Sequence, residues 1–324
     1  MQNNTPAFEE AKKFIESKNR FILASHARTD GDDGGSMLAM SFILQSLNKA
    51  AIPVAKGGVP LTLQFLPKQN EIFDDVPNEA IKEFYDGIIL FGCNNKQRTG
   101  LDKVINSNLP VLNIDHHQDN ARFGDINLVD ETKSSVAELV FDFIKFLGVE
   151  ITPDISKCLL TGIFTDTGSF MHSNTQASTL EAAGELMKYG ARVDKIHEFT
   201  YQNKDIRGLK AWGKALENTR LAKNNEIAIS VITEEDLREI GDLPSDTFGG
   251  FVETLNKIPG TRFAMFLRQD GNKIKGSIRS EENKKMDVSF LAKLLGGGGH
   301  KLAAGFELEG RLKRTADGGW KIEK

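Results

Sequence analysis

FILASHARTDGDDGGSMLAMSFILQSL, residues 21–47, decides the architecture of this chain. FILAS (21–25) is a short apolar run ending in polar residues, which suits a buried parallel strand feeding a loop. MLAMSFILQSL (37–47) suits a helix, with Ser36 near its start. Between them, SHARTDGDDGGS (25–36) reads as one tight loop that carries His26, Asp30 and Asp32. Gly31, Gly34 and Gly35 are expected to let the backbone turn sharply there. Asp33 is read as the cap of the following helix.

The same alternation continues outward. A helix is expected over 8–17, and strands at 51–54, 87–91 (GIILF) and 111–114 (VLNI). Ser135 and Glu138 make a capping-box pattern ahead of a helix over 139–147, and a further helix is expected over 155–164. Strands alternating with helices predict an α/β domain with a mainly parallel sheet flanked by helices. The stretch 177–221 reads as mostly helical. From residue 227 the texture changes: IAISVI, TRFAMFLRQ and KIKGSIRS are strand-like, and helices fit 248–257 and 288–295. That predicts a second, smaller α+β domain. We expect a first domain over 1–200, a helical linker over 201–222 and the second domain over 223–324.

The 324 residues suit two domains, and 40% hydrophobic with 27% charged residues is enough apolar material for two cores. The formal charge of −4 does not draw the protein to nucleic acid by itself, so a long DNA duplex is not an expected partner. Cys93 and Cys158 lack metal-ligand spacing and are read as free thiols of a reducing cytosol. The first residues lack the basic-then-apolar pattern of a signal peptide. No apolar run approaches the roughly 20 residues that span a bilayer. A cytoplasmic protein without a membrane partner is expected.

The chemistry sits where strands end, because ligands of open α/β sheets bind beyond the carboxyl edges of the strands. FILAS leads to His26, Asp30 and Asp32; VLNI leads to Asp115, His116 and His117; GIFTDTGSF (162–170) places Asp166 after an apolar helix. Carboxylates mixed with imidazoles suit a pair of divalent ions such as Mn²⁺. Two such ions can clamp a phosphate and activate water. In the C-terminal part, GGGGH (296–300) can bring backbone N–H groups close to an anion, and Arg279 can fork onto a phosphate.

These motifs carry a resemblance. SHARTDGDDGGS, NIDHH (113–117) and GIFTDTGSF are similar to motifs of the DHH phosphoesterases, and SIRS (277–280) with GGGGHKLAAGF (296–306) resembles the family's associated C-terminal domain. The compact two-domain form resembles the group that trims very short oligoribonucleotides and removes the 3′-phosphate of adenosine bisphosphate (pAp). The resemblance implies a hydrolase using two divalent ions, by attack of metal-bound water on phosphorus. It implies His26 and Asp30 on one ion and Asp32, His116 and Asp166 on the other. Asp115 would orient an imidazole, and His117 would face the scissile phosphate. Arg279, Ser280, Gly298 and His300 would hold the non-scissile end of a short nucleotide. A homodimer is left open.

One position departs from the pattern. The family's second motif ends its strand with an aspartate that bridges both ions, and in DGIILFGCNNKQRTG (86–100) that position is Gly92. Losing a carboxylate between two dications is expected to weaken the site. Water or substrate could fill the gap, or Asn94 could lend a neutral oxygen if the strand continues. Otherwise the chain is an impaired nucleotide-binding module. A hydrolase of cyclic-dinucleotide products or of polyphosphate is a further alternative.

Overall fold

Strand β1 (Arg20–Ser25) is fully buried after its first residue, and it sits inside a five-stranded sheet. β2 (Ala50–Val54), β3 (Gly87–Phe91), β4 (Val111–Asp115) and β5 (Ile126–Val129) complete it in the order β2-β1-β3-β4-β5, with every pairing parallel. Successive side chains of a strand point to opposite faces. Phe21, Leu23, Ile89 and Phe91 accordingly enter one core, and Ile22, Ala24, Ile88 and Leu90 another. Each such fully buried Phe, Leu or Ile side chain contributes roughly 1.5–3 kcal/mol. The computed structural model describes residues 5–27, 29–76, 81–202, 206–241, 243, 247–299, 301–315 and 319–323.

The larger core is closed by helices α1 (Thr5–Glu16) and α2 (Gly31–Ser46), and, after the short α3 (Ile81–Phe84) and α4 (Asp102–Ile105) on the other side, by α5 (Val136–Leu147) and α6 (Pro153–Asp166). Ser135 caps α5 as expected, accepting from the Glu138 N–H. The Glu138 carboxylate, however, takes the Ser134 N–H and hydroxyl instead of closing the box on Ser135.

The segment 31–36 is helix, not loop. Asp30 caps α2, its carboxylate accepting from the N–H groups of Asp32 and Asp33, so Asp33 is not the cap. The early glycines serve packing rather than turning. A Cβ on Gly31 would overlap the Thr165 side chain, one on Gly35 would overlap the Cys158 carbonyl oxygen, and one on Gly162 would come within 2.6 Å of Ala137 Cβ. α2 and α6 therefore touch almost backbone to backbone. Gly35→Ala meets main chain, which cannot rotate away. It is expected to destabilise the protein by about 1–3 kcal/mol, read as a lower denaturation midpoint at unchanged slope.

Residues Met1–Asn203 and Lys204–Lys324 form two compact units. The second holds a six-stranded sheet of β6 (Arg220–Ala222), β7 (Ile227–Ile232), β8 (Phe263–Asp270), β9 (Lys273–Arg279), β10 (Gly298–Gly299) and β11 (Ala303–Glu309), in the order β10-β11-β9-β8-β7-β6. Only β7 and β8 pair in parallel. The helix Ile206–Glu217, read from sequence as a linker, buries Ala211 and Ala215 against Phe251 and Phe266 of this unit. Among the described residues no helix is long and apolar enough to cross a membrane.

Candidate metal centre

The strand order changes direction between β1 and β3, and such switch points open a crevice beyond the strand ends. Ser25 lies beside Phe91 in the register, so the next residues, His26 and Gly92, stand at that crevice. The next strand, β4, ends at Asp115 and delivers His116 and His117.

Two groups of side chains converge there. In His26, Asp30 and Asp33 one ligand atom of each lies within 4.8 Å of the others, and the same holds for Asp32, His116 and Asp166. His26 Nε2 is 2.9 Å from Asp33 Oδ2 and 3.4 Å from Asp30 Oδ2. His116 Nε2 is 3.7 Å from Asp166 Oδ2 and 4.0 Å from Asp32 Oδ2. Each imidazole is anchored at its other nitrogen by a backbone carbonyl, His26 Nδ1 at Ala27 O (2.9 Å) and His116 Nδ1 at Lys133 O (3.2 Å). With Nδ1–H donating, Nε2 keeps a lone pair for a cation.

Asp32 is held differently. Its carboxylate accepts from the N–H groups of Val136 (2.7 Å) and Ala137 (2.8 Å), the first turn of α5. A helix N-terminus favours the charged carboxylate, and the grip fixes its direction. Asp166 ends α6, with Asn174 Nδ2 3.4 Å from its Oδ2. Burial first, then the Asp166, Asp33 and Asp30 charges, push Asp32 well above the usual carboxylate range. Burial also raises Asp166, to about 6, against the pull of His116 and with the Asp30 and Asp33 charges adding to it. Burial opposes charge on His26, but the Asp30 and Asp33 carboxylates outweigh it and lift the imidazole to about 11. Crowded carboxylates that repel one another and draw a positive charge onto the neighbouring imidazole suit a cation, which would displace the His26 proton and free Nε2 as a donor.

Asp115 is fully buried and belongs to neither group of ligand atoms. It takes His117 Nδ1 at 2.6 Å and the His116 N–H at 2.7 Å. The imidazole it orients is thus His117, whose pKa rises because this pairing overcomes burial.

Sequence reasoning missed Asp33. Reading a helix from Asp30 onward, with Asp30 as cap, would have set Asp32 and Asp33 side by side in its first turn. Asn94 does not take part. β3 stops at Phe91, Gly92 turns the chain at φ +62°, and the Asn94 amide is spent on Asp119 while its oxygen accepts from Asn95. Cys93 is buried, its thiol raised by burial and by the Asp33 and Asp115 charges. His172 bonds the Asp166 carbonyl at the edge.

Arg279 ends β9, its Nε donating to Glu253 at 2.7 Å. The Ser280 hydroxyl donates to the Arg262 carbonyl, which commits it within the fold. Gly298 is exposed in β10, opposite Gly305. His300 lies outside the described residues, as does Arg28.

Residues 20–163 match the model of the DHH family, N-terminal domain, and residues 218–317 that of the DHHA1 domain. The chain is 33% identical, over 89% of its length and 84% of the relative's, to the bifunctional oligoribonuclease and PAP phosphatase NrnA of Thermus thermophilus. It is 29% identical to the NrnA of Bacillus subtilis, over 88% of each chain. Among solved structures, an exopolyphosphatase-related protein from Bacteroides fragilis superposes at TM-score 0.86 with 27% identity, covering 94% of this chain and 91% of that one. RecJ of Thermus thermophilus in complex with Mn²⁺ shares the fold at TM-score 0.55 and 14% identity, over 94% of this chain and 52% of that one.

Proposed function

Because the chain belongs to the DHH family, with a DHHA1 domain after the first, we propose that it is a metal-dependent phosphoesterase that hydrolyses short oligoribonucleotides or 3′-phosphorylated nucleotides such as pAp. The observation that carries this reading is the meeting of two three-residue ligand groups at one sheet crevice. The near full-length similarity to NrnA proteins supports the substrate class.

Two divalent ions held by His26, Asp30 and Asp33 and by Asp32, His116 and Asp166 would polarise the phosphate oxygens and lower the pKa of water, and the mixed donors favour Mn²⁺. The chain's own groups do the rest. Asp32 is kept in one direction by the N-terminus of α5, and the two imidazoles are kept in one tautomer by backbone carbonyls. His117, gripped at Nδ1 by Asp115, gives a proton from Nε2 to the departing oxygen as water's oxygen bonds to phosphorus and the phosphorus–oxygen ester bond breaks. In the second unit, the family resemblance assigns Arg279, Gly298 and His300 to a nucleotide phosphate, with Ser280 bracing the strand end.

Gly92 favours a second reading, a nucleotide-binding module without turnover. One assay separates the two. Incubation with pAp and with a dinucleotide is expected to give product with Mn²⁺, to stop at background after EDTA, and to resume when Mn²⁺ is restored. No product from either substrate with Mn²⁺, Mg²⁺ or Co²⁺ ends the hydrolase reading, and nucleotide binding without product then favours the module.

A further inference from the structure

The strand order puts the end of β3 between the end of β1, which gives His26, and the end of β4, which gives His116. A side chain projecting from residue 92 would therefore enter the space between the two ligand groups. Gly92 offers none, yet that space is filled. A Cβ built on Gly92 would overlap Asp33 Oδ1, and would lie 2.5 Å from Asp33 Cγ and 2.6 Å from Oδ2. The carboxylate reaches this point from α2, not from the sheet.

Asp33 is also poorly explained as a structural residue. It is 3% exposed. Its Oδ2 has no hydrogen-bond partner, and although His26 Nε2 approaches to 2.9 Å, the contact lacks hydrogen-bond alignment. A cation taken up at Nε2 would displace the positive charge of His26, and a buried carboxylate oxygen left this way costs several kcal/mol unless a cation joins it. Its neighbour Asp32 belongs to the other ligand group, so adjacent residues of one helical turn serve the two groups.

We propose that Asp33 bridges the two cation positions, supplying from the first turn of α2 the carboxylate that the end of β3 lacks. This deepens the metal-dependent reading above and rests on it. Asp33→Asn keeps shape and removes charge, so the fold is retained while the bridge is weakened.

The test is Mn²⁺ titration followed by calorimetry and electron paramagnetic resonance on the full chain and on Asp33→Asn, with circular dichroism to confirm folding of the variant. The full chain is expected to take up two Mn²⁺ with the exchange-coupled spectrum of bridged ions. Asp33→Asn is expected to weaken one site by at least about 100-fold, more than loss of an outer partner costs, and to lose the coupling. Two sites of unchanged affinity and coupling in Asp33→Asn overturn the bridge and leave the hydrolase reading standing. A full chain that takes up no Mn²⁺ overturns both. Should Asp33→Asn not fold, the coupling in the full chain decides: two Mn²⁺ without exchange coupling reject the bridge.

Discussion

His116→Ala is expected to lower kcat/KM on a dinucleotide by about a thousandfold, with most of the loss in kcat at saturating Mn²⁺. Metal stabilisation of transition-state charge is worth several kcal/mol, and about 4 kcal/mol is three factors of ten at 1.36 kcal/mol each. Among the described residues His116 is the one imidazole of its group: its Nε2 faces Asp166 and Asp32, and the Lys133 carbonyl fixes its ring. Removing it leaves two carboxylates to share a cation without their nitrogen donor. The imidazole is not a core residue, so the variant is expected to fold, and its melting temperature without metal checks this. A loss below tenfold under saturating Mn²⁺ rejects the role.

Gly92→Asp is expected to damage the protein rather than improve it. From sequence alone the substitution looks like the return of a missing ligand. In the fold, its Cβ lands on the Asp33 carboxylate, and its φ of +62° disfavours a side chain. Overpacking and the left-handed backbone together cost about 3 kcal/mol, a fall in melting temperature on the order of 10 °C for a domain of this size. The like charge of Asp33 adds to it. Combining Asp33→Ala with Gly92→Asp frees the contested volume, so the double variant is expected to recover the overpacking part of that loss, while the left-handed backbone cost remains. Residues that share a volume couple in this way. Additive losses in the two single variants and the pair would show that the positions do not compete.

Several parts of the site were legible in the sequence because they are local. FILAS and GIILF announce buried parallel strands by their unbroken apolar character, and the structure pairs them as β1 and β3. Asp30, Asp32, His116 and Asp166 stand out because carboxylates and imidazoles cluster just beyond such runs. Other parts depended on partners far along the chain. β5 is short and only partly buried, too weak a pattern to read. The start of α2 was hidden because glycines lower helix propensity, yet the helix forms there since those glycines let it lie against α6. Gly92 looked like a vacancy because a sequence shows which side chain a position lacks, not which side chain enters its space.

The sequence by itself determined the two-domain α/β architecture, the strand ends that carry the candidate ligands, and their carboxylate and imidazole chemistry. These follow from hydrophobic period and from residue type, which need no knowledge of neighbours in space. Only the tertiary structure decided that Asp33 faces His26, that Asp115 grips His117, that α5 holds Asp32, and that the place beside Gly92 is occupied. Each of those facts is a contact between segments brought together by the parallel sheet and the close packing of α2 on α6, and such contacts exist only once the chain has folded.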